Sequence, residues 1–90
     1  MSDIQQEKNR FYIGEKEDPK AEMLFETDQD LLVITSTKVK PDEREQGLGK
    51  ELVDYAVNEA RKNKMKIDPV CSFARDIINQ TPEYQVVLNN

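Results

Sequence analysis

Six residues, Arg44-Glu45-Gln46-Gly47-Leu48-Gly49, follow a strand-forming run, "LLVITSTKV", and open an amphipathic one, so a strand, a glycine turn and a helix start meet there. Such a junction leaves backbone N–H groups without intrahelical partners and pointing one way. Together with the helix dipole they bind phosphate without requiring a basic side chain. Glycine at 47 and 49 suits this chemistry, because an anion must approach the main chain where a Cβ would stand in the way. The acidic neighbours Asp42, Glu43 and Glu45 are compatible with it if their carboxylates point to solvent. Without a ligand the same residues make a plain glycine-containing helix entry.

Two nucleotide motifs fail at this turn. For a P-loop, Gly49-Lys50 would be the G-K pair, but Arg44 stands in place of the first glycine and Glu51 in place of the hydroxyl that holds magnesium. For a dinucleotide fingerprint, Gly47 and Gly49 would be the first two glycines, and Leu52 occupies the place of the third. What remains is R-x-x-G-x-G, from Arg44 to Gly49.

Cys71 is the second candidate. A lone cysteine is more often an inert buried residue than a nucleophile. Here it follows a strand and precedes a helix, where a helix N-terminus favours the thiolate. One cysteine forms no internal disulfide, and with no histidine in the chain the usual zinc sites and histidine-based triads cannot be assembled, so no metal is expected.

The elements that must position these groups are legible in outline. "NRFYI" predicts an edge strand, and "GEKEDPKA" a turn. "AEMLFET" and "LLVITSTKV" predict two more strands joined through Asp28-Gln29-Asp30, the last of them the most apolar and so placed at the sheet centre. After Pro41 the period changes: Leu48, Leu52, Tyr55, Ala56 and Ala60 share one face of a helix over about 46–63. "MKIDPV" then gives a fourth strand, parallel to the third if the helix is a crossover. "SFARDIINQ" is a further helix. Thr81-Pro82-Glu83 announces a last short one, with an N-cap, a proline at the first helical position and an acid in the first turn. Tyr55 and Met65 are expected in the core, and the basic run from Arg61 to Lys66 on a solvated helix end.

Ninety residues suit one domain, 1–90. A formal charge of −5 argues against general nucleic-acid binding, which requires a broad basic face. Residues 38–50 depart from that balance, with Lys38, Lys40, Arg44 and Lys50 against Asp42, Glu43 and Glu45, which suits a small anion. No apolar run is long enough to span a bilayer and the N-terminus lacks a signal-peptide core, so a cytoplasmic location is expected.

The run from Thr35 through Tyr84 resembles the GNAT superfamily of acetyl-CoA-dependent N-acetyltransferases, whose signature Q/R-x-x-G-x-G/A falls at this strand-to-helix junction. Within it the chain is similar to the very small single-domain GNAT-like proteins, with T-x-V before the turn, "CSF" after the next strand and "PEY" near the C-terminus. The resemblance implies an α+β, GNAT-like fold of about three antiparallel strands, a crossover helix, a fourth parallel strand and short C-terminal helices. It implies acetyl-CoA or CoA as the ligand, held at Arg44, Glu45, Gln46, Gly47, Leu48, Gly49 and Lys50, with Lys38 and Val39 beside the pantetheine arm. The acceptor would be an amine, free or on a protein.

The same resemblance puts Cys71 close to the acetyl thioester and makes Tyr84 a candidate acid for the departing CoA thiolate, against its simpler reading as an aromatic capping the core. A carboxylate or water would serve as base, since an ammonium ion has no lone pair with which to attack. The small relatives often carry H-T-x-V where this chain has Ser36-Thr37-Lys38-Val39, so a Cys–His dyad is excluded. Two alternatives stay open: a CoA-binding module with little catalysis, and an acyl carrier built on Cys71.

Overall fold

The computed structural model describes residues 3–42 and 47–89. Its order is β1 (Ile4–Glu7), β2 (Arg10–Gly14), β3 (Pro19–Asp28), β4 (Leu31–Val39), α1 (Leu48–Lys62), β5 (Lys66–Pro69), α2 (Ser72–Gln80) and a terminal 3-10 helix, Pro82–Val87. The strands form one sheet in sequence order, antiparallel except for the parallel β4–β5 pair. The mixed α+β architecture is the one expected, and it differs in detail. Four strands, not three, are antiparallel, because "IQQE" pairs with β2 through a tight turn in which Asn9 adopts a positive φ of 65°. "NRFYI" is therefore an inner strand. β3, not β4, holds the middle of the sheet, and β4 lies between it and the short β5.

The hairpin at Gln29-Asp30 closes with Asp28 opposite Leu31, and Gln29 takes a φ of 56°. After α1, Asn63 ends the helix and Lys64, with a φ of 59°, turns the chain into β5. The terminal segment is the last short helix expected and takes the 3-10 form, but no Thr81 side-chain bond caps it. Arg61 and Lys66 are not merely solvated: they donate to the carbonyls of Glu83 (2.7 Å) and Val86 (2.9 Å), pinning that segment.

One face of the sheet carries the core. Phe11, Ile13, Ala21, Met23, Phe25, Leu32 and Ile34 pack against Leu52, Val53, Ala56, Val57 and Ala60 of α1, with Ala74 and Ile78 of α2 in the same cluster. The buried stripe of α1 is wider than the periodicity alone suggested, since Val53 and Val57 join it. Phe11 stacks on Phe25 at 4.3 Å and meets Tyr55 edge-on at 4.9 Å, an arrangement that adds about 0.5–1.5 kcal/mol beyond area burial. Arg10 binds Glu7 and Glu22 and lies over Tyr12, giving that edge of the sheet a polar covering. No helix among the described residues is long and apolar enough to cross a membrane.

Candidate functional site

The site begins with an irregularity in β4. Leu24 pairs with Ser36 and Phe25 with Ile34, so Thr35 is an extra residue with no partner, and its hydroxyl donates to the Leu24 carbonyl at 3.2 Å. A bulge of this kind re-aims everything after it. Ile34 faces the core, and two residues on Ser36 would do so in a regular strand. Instead Thr37 and Val39 stand opposite the core residues Met23 and Ala21, and the cation of Lys38 is sent to the other face.

The second feature is a wedge between β4 and β5. Their pairing stops at Ile34 opposite Pro69, and beyond it the Cys71 N–H donates to the Ile34 carbonyl, at 2.9 Å, as a main-chain bond across the gap. β4 runs on to Val39 while the other chain turns away into α2.

The start of α1 closes the far end of this wedge. Gly47 sits at the N-cap with φ 71° and ψ 23°, a left-handed conformation that costs other residues energy, and a Cβ there would meet nothing within 4 Å. No side chain among the described residues caps the helix, so nothing of that kind competes for the first amides of residues 48–50, which by helix geometry have no intrahelical acceptor. Gly49 is glycine for another reason. A Cβ on it would lie 2.5 and 2.7 Å from Cζ and Cε2 of Phe73 and 3.3 Å from Cγ2 of Val39. Its bareness is filled by protein, which corrects the expectation that it leaves room for an anion. The side chain of Leu48 is buried in the core, so only its main chain can face the turn.

Thr37, Lys38, Val39, Gly47, Gly49, Lys50 and Phe73 together line a hollow of about 660 Å³. The expected site residues 38, 39, 47, 49 and 50 are thus brought to one place. Arg44, Glu45 and Gln46 lie outside the described residues. Cys71 borders the wedge, half-buried, with its thiol 3.5 Å from the Thr37 hydroxyl. Burial pushes this thiol up. The Thr37 hydroxyl and the N–H groups of Ala74, Phe73 and Thr37 outweigh that, and the thiol lies below its ordinary range.

Tyr84 lies elsewhere. Its hydroxyl donates to Asp54 at 2.8 Å, and burial followed by that carboxylate pushes it up to about 12. With Asp54, Tyr55 and Asn58 it lines a second hollow of about 460 Å³, which meets the first at Gly47 and Lys50. What this arrangement gives Tyr84 is the pairing with Asp54. Two contributors were not singled out from sequence as site residues. Thr37 depends on the bulge, which leaves no mark in a run of strand-formers. Phe73 stands in the quoted "CSF", where only its neighbour drew attention.

Among the described residues no three acidic, cysteine or histidine side chains are grouped to hold a metal. The hollow offers amides at a helix start, Lys50 at the rim, and apolar walls from Val39 and Phe73, a combination that suits an anion carrying an apolar arm.

The family model described as GCN5-related N-acetyl-transferase matches residues 10–87. Among solved structures, the chain is similar to the solution structure of a candidate GCN5-like N-acetyltransferase from Staphylococcus aureus, at 34% identity and a TM-score of 0.84, covering 98% of this chain and 88% of that one. It shares its fold with the crystal structure of the ribosomal-protein-S18-alanine N-acetyltransferase from Escherichia coli, at 20% identity and a TM-score of 0.66, covering 84% of this chain and 53% of that one. No curated protein matches the chain.

Proposed function

The chain belongs to the GCN5-related N-acetyltransferase family, and from that premise we propose that it binds acetyl-CoA in the wedge and transfers the acetyl group to an amine. The single observation that carries this reading is the hollow in which the end of β4, from Thr37 to Val39, meets the start of α1 at Gly47, Gly49 and Lys50. On this reading a nucleotide thioester lies along the hollow. Its pyrophosphate is held by the first amides of α1 with Lys50, and its arm lies along residues 37–39.

Transfer then requires little beyond positioning. The neutral amine attacks the thioester carbonyl carbon, the tetrahedral intermediate collapses with cleavage of the C–S bond, and the proton that the new amide nitrogen sheds passes through water to the departing CoA thiolate. The interval between β2 and β3 is only residues 15–18, too short to build a deep acceptor pocket. The acceptor is therefore a group that brings its own surface, such as an amine on a protein or peptide. The test is a transfer screen with acetyl-CoA against free amines, polyamines and N-terminal peptides: release of CoA dependent on the acceptor supports the reading. Binding without any release leaves the CoA-binding module.

A second reading has its own observation, the Cys71 thiol at the N-cap of α2 and 3.5 Å from the Thr37 hydroxyl. Here the Cys71 thiol gives its proton to solvent and its thiolate attacks the thioester carbonyl; the bond to the CoA sulfur breaks, CoA leaves as thiolate and takes a proton back from solvent, and the protein holds the acetyl as a new thioester. Intact mass after incubation with acetyl-CoA decides it. A gain of one acetyl group that disappears in Cys71→Ser supports the acyl carrier, and an unmodified chain excludes it.

A further inference from the structure

We infer that Phe73 is the wall against which the pantetheine arm is held, and that Gly49 is glycine in order to seat it; this rests on the acetyl-CoA reading above. Phenylalanine is usually buried, yet Phe73 in the first turn of α2 is 41% exposed while its neighbours in that helix, Ala74 and Ile78, are fully buried. The exposed part of the ring lines the hollow. Its edge lies in the space a Gly49 Cβ would take, and Val39 closes on the same point from the opposite strand. Three elements, β4, α1 and α2, therefore converge on one bare Cα. Among the described residues the ring is the one aromatic surface lining that hollow, which Thr37 and Val39 also line.

The chemistry of the ligand divides at this point. The head of CoA is anionic and suits amides and lysines, whereas the arm carries a gem-dimethyl group and two amides and suits an apolar wall facing a strand edge. Phe73 discriminates for the arm and the helix start for the head. Phe73 is then a positioning residue: it aligns the thioester with the wedge, two residues from Cys71, without touching the reacting atoms.

The experiment is calorimetric titration of two probes, CoA and adenosine 3′-phosphate 5′-diphosphate, into the intact chain and into Phe73→Ala, Phe73→Leu and Gly49→Ala. Circular dichroism first confirms that each variant is folded. The expected result is a loss of about tenfold in CoA affinity for Phe73→Ala, most of it recovered in Phe73→Leu, with the head-group probe unchanged within about twofold. Gly49→Ala should lose CoA affinity through the displaced ring, and adding Phe73→Ala to it should cost little more. Equal losses for both probes, or no loss for CoA, would overturn the assignment while leaving the acetyl-CoA reading intact. If the unmodified chain binds neither probe, the acetyl-CoA reading falls and this assignment with it.

Discussion

The thiol of Cys71 lies 3.5 Å from the hydroxyl of Thr37, across the mouth of the wedge where β4 and β5 have just parted. The pair exists only because Thr35 is an extra residue in β4, which brings Thr37 onto the inner face. Hydrogen bonds to a thiolate stabilise its ionised form, so removing one raises the thiol's pKa. Thr37→Val is therefore expected to shift the pH profile of Cys71 alkylation by iodoacetamide upward and slow the reaction about tenfold at neutral pH, near the lower end of the about 1.5–3 kcal/mol of a hydrogen bond to a charged group. A profile identical to the parent's would show that the hydroxyl does not act on the sulfur.

Tyr84 supplies a stability prediction with a definite sign. Its phenol is raised to about 12 in the folded protein against an ordinary 10. The folded state thus keeps its proton where the unfolded chain has lost it. This contribution is fully present below pH 10 and is lost as pH rises toward 12. Tyr84→Phe should cost about 1 kcal/mol at neutral pH through the bond to Asp54 and should flatten the alkaline decline, as measured by urea unfolding at pH 7, 9 and 11. Acetyl transfer should stay within about twofold of the parent, whereas a loss of tenfold or more in kcat would make the hydroxyl the acid that protonates CoA.

Gly47 and Gly49 should respond differently to alanine. At Gly47 the space is open but φ is 71°, so Gly47→Ala costs about 1 kcal/mol of strain, Gly47→Asn less and Gly47→Val more. Gly49 has an ordinary helical backbone, and its alanine meets the far edge of a half-exposed ring and, less closely, a methyl of Val39, so its unfolding midpoint should move less than that of Gly47→Val. The reverse ranking in urea titrations would refute the separate roles given to the two glycines.

Much of this arrangement can be read from the chain before any coordinates. The switch from alternating to helical periodicity near Pro41 marks the boundary between sheet and α1, and Ser72–Gln80 is bounded by the residues that announce it. β1 escapes because "IQQE" has one apolar residue and no alternation to reveal a half-buried strand. The bulge escapes because Thr35, Ser36 and Thr37 are equally at home on either face. Gly49 is legible as a necessary glycine, but the reason lies in Phe73, 24 positions further on in sequence, and contacts of that kind leave no local pattern. The turn is legible as an anion site from helix-end physics alone, whereas CoA enters only through family likeness.

The central claim is that the wedge and the start of α1 form one binding site, and backbone amide shifts on titration with acetyl-CoA test it most directly. The amides of Gly47, Leu48, Gly49 and Lys50 and those of Thr37, Lys38 and Val39 should move together along one saturating curve, ahead of residues on the second hollow such as Asp54 and Asn58. No shift in either group at millimolar ligand, or shifts confined to Asp54, Asn58 and Tyr84, would contradict it.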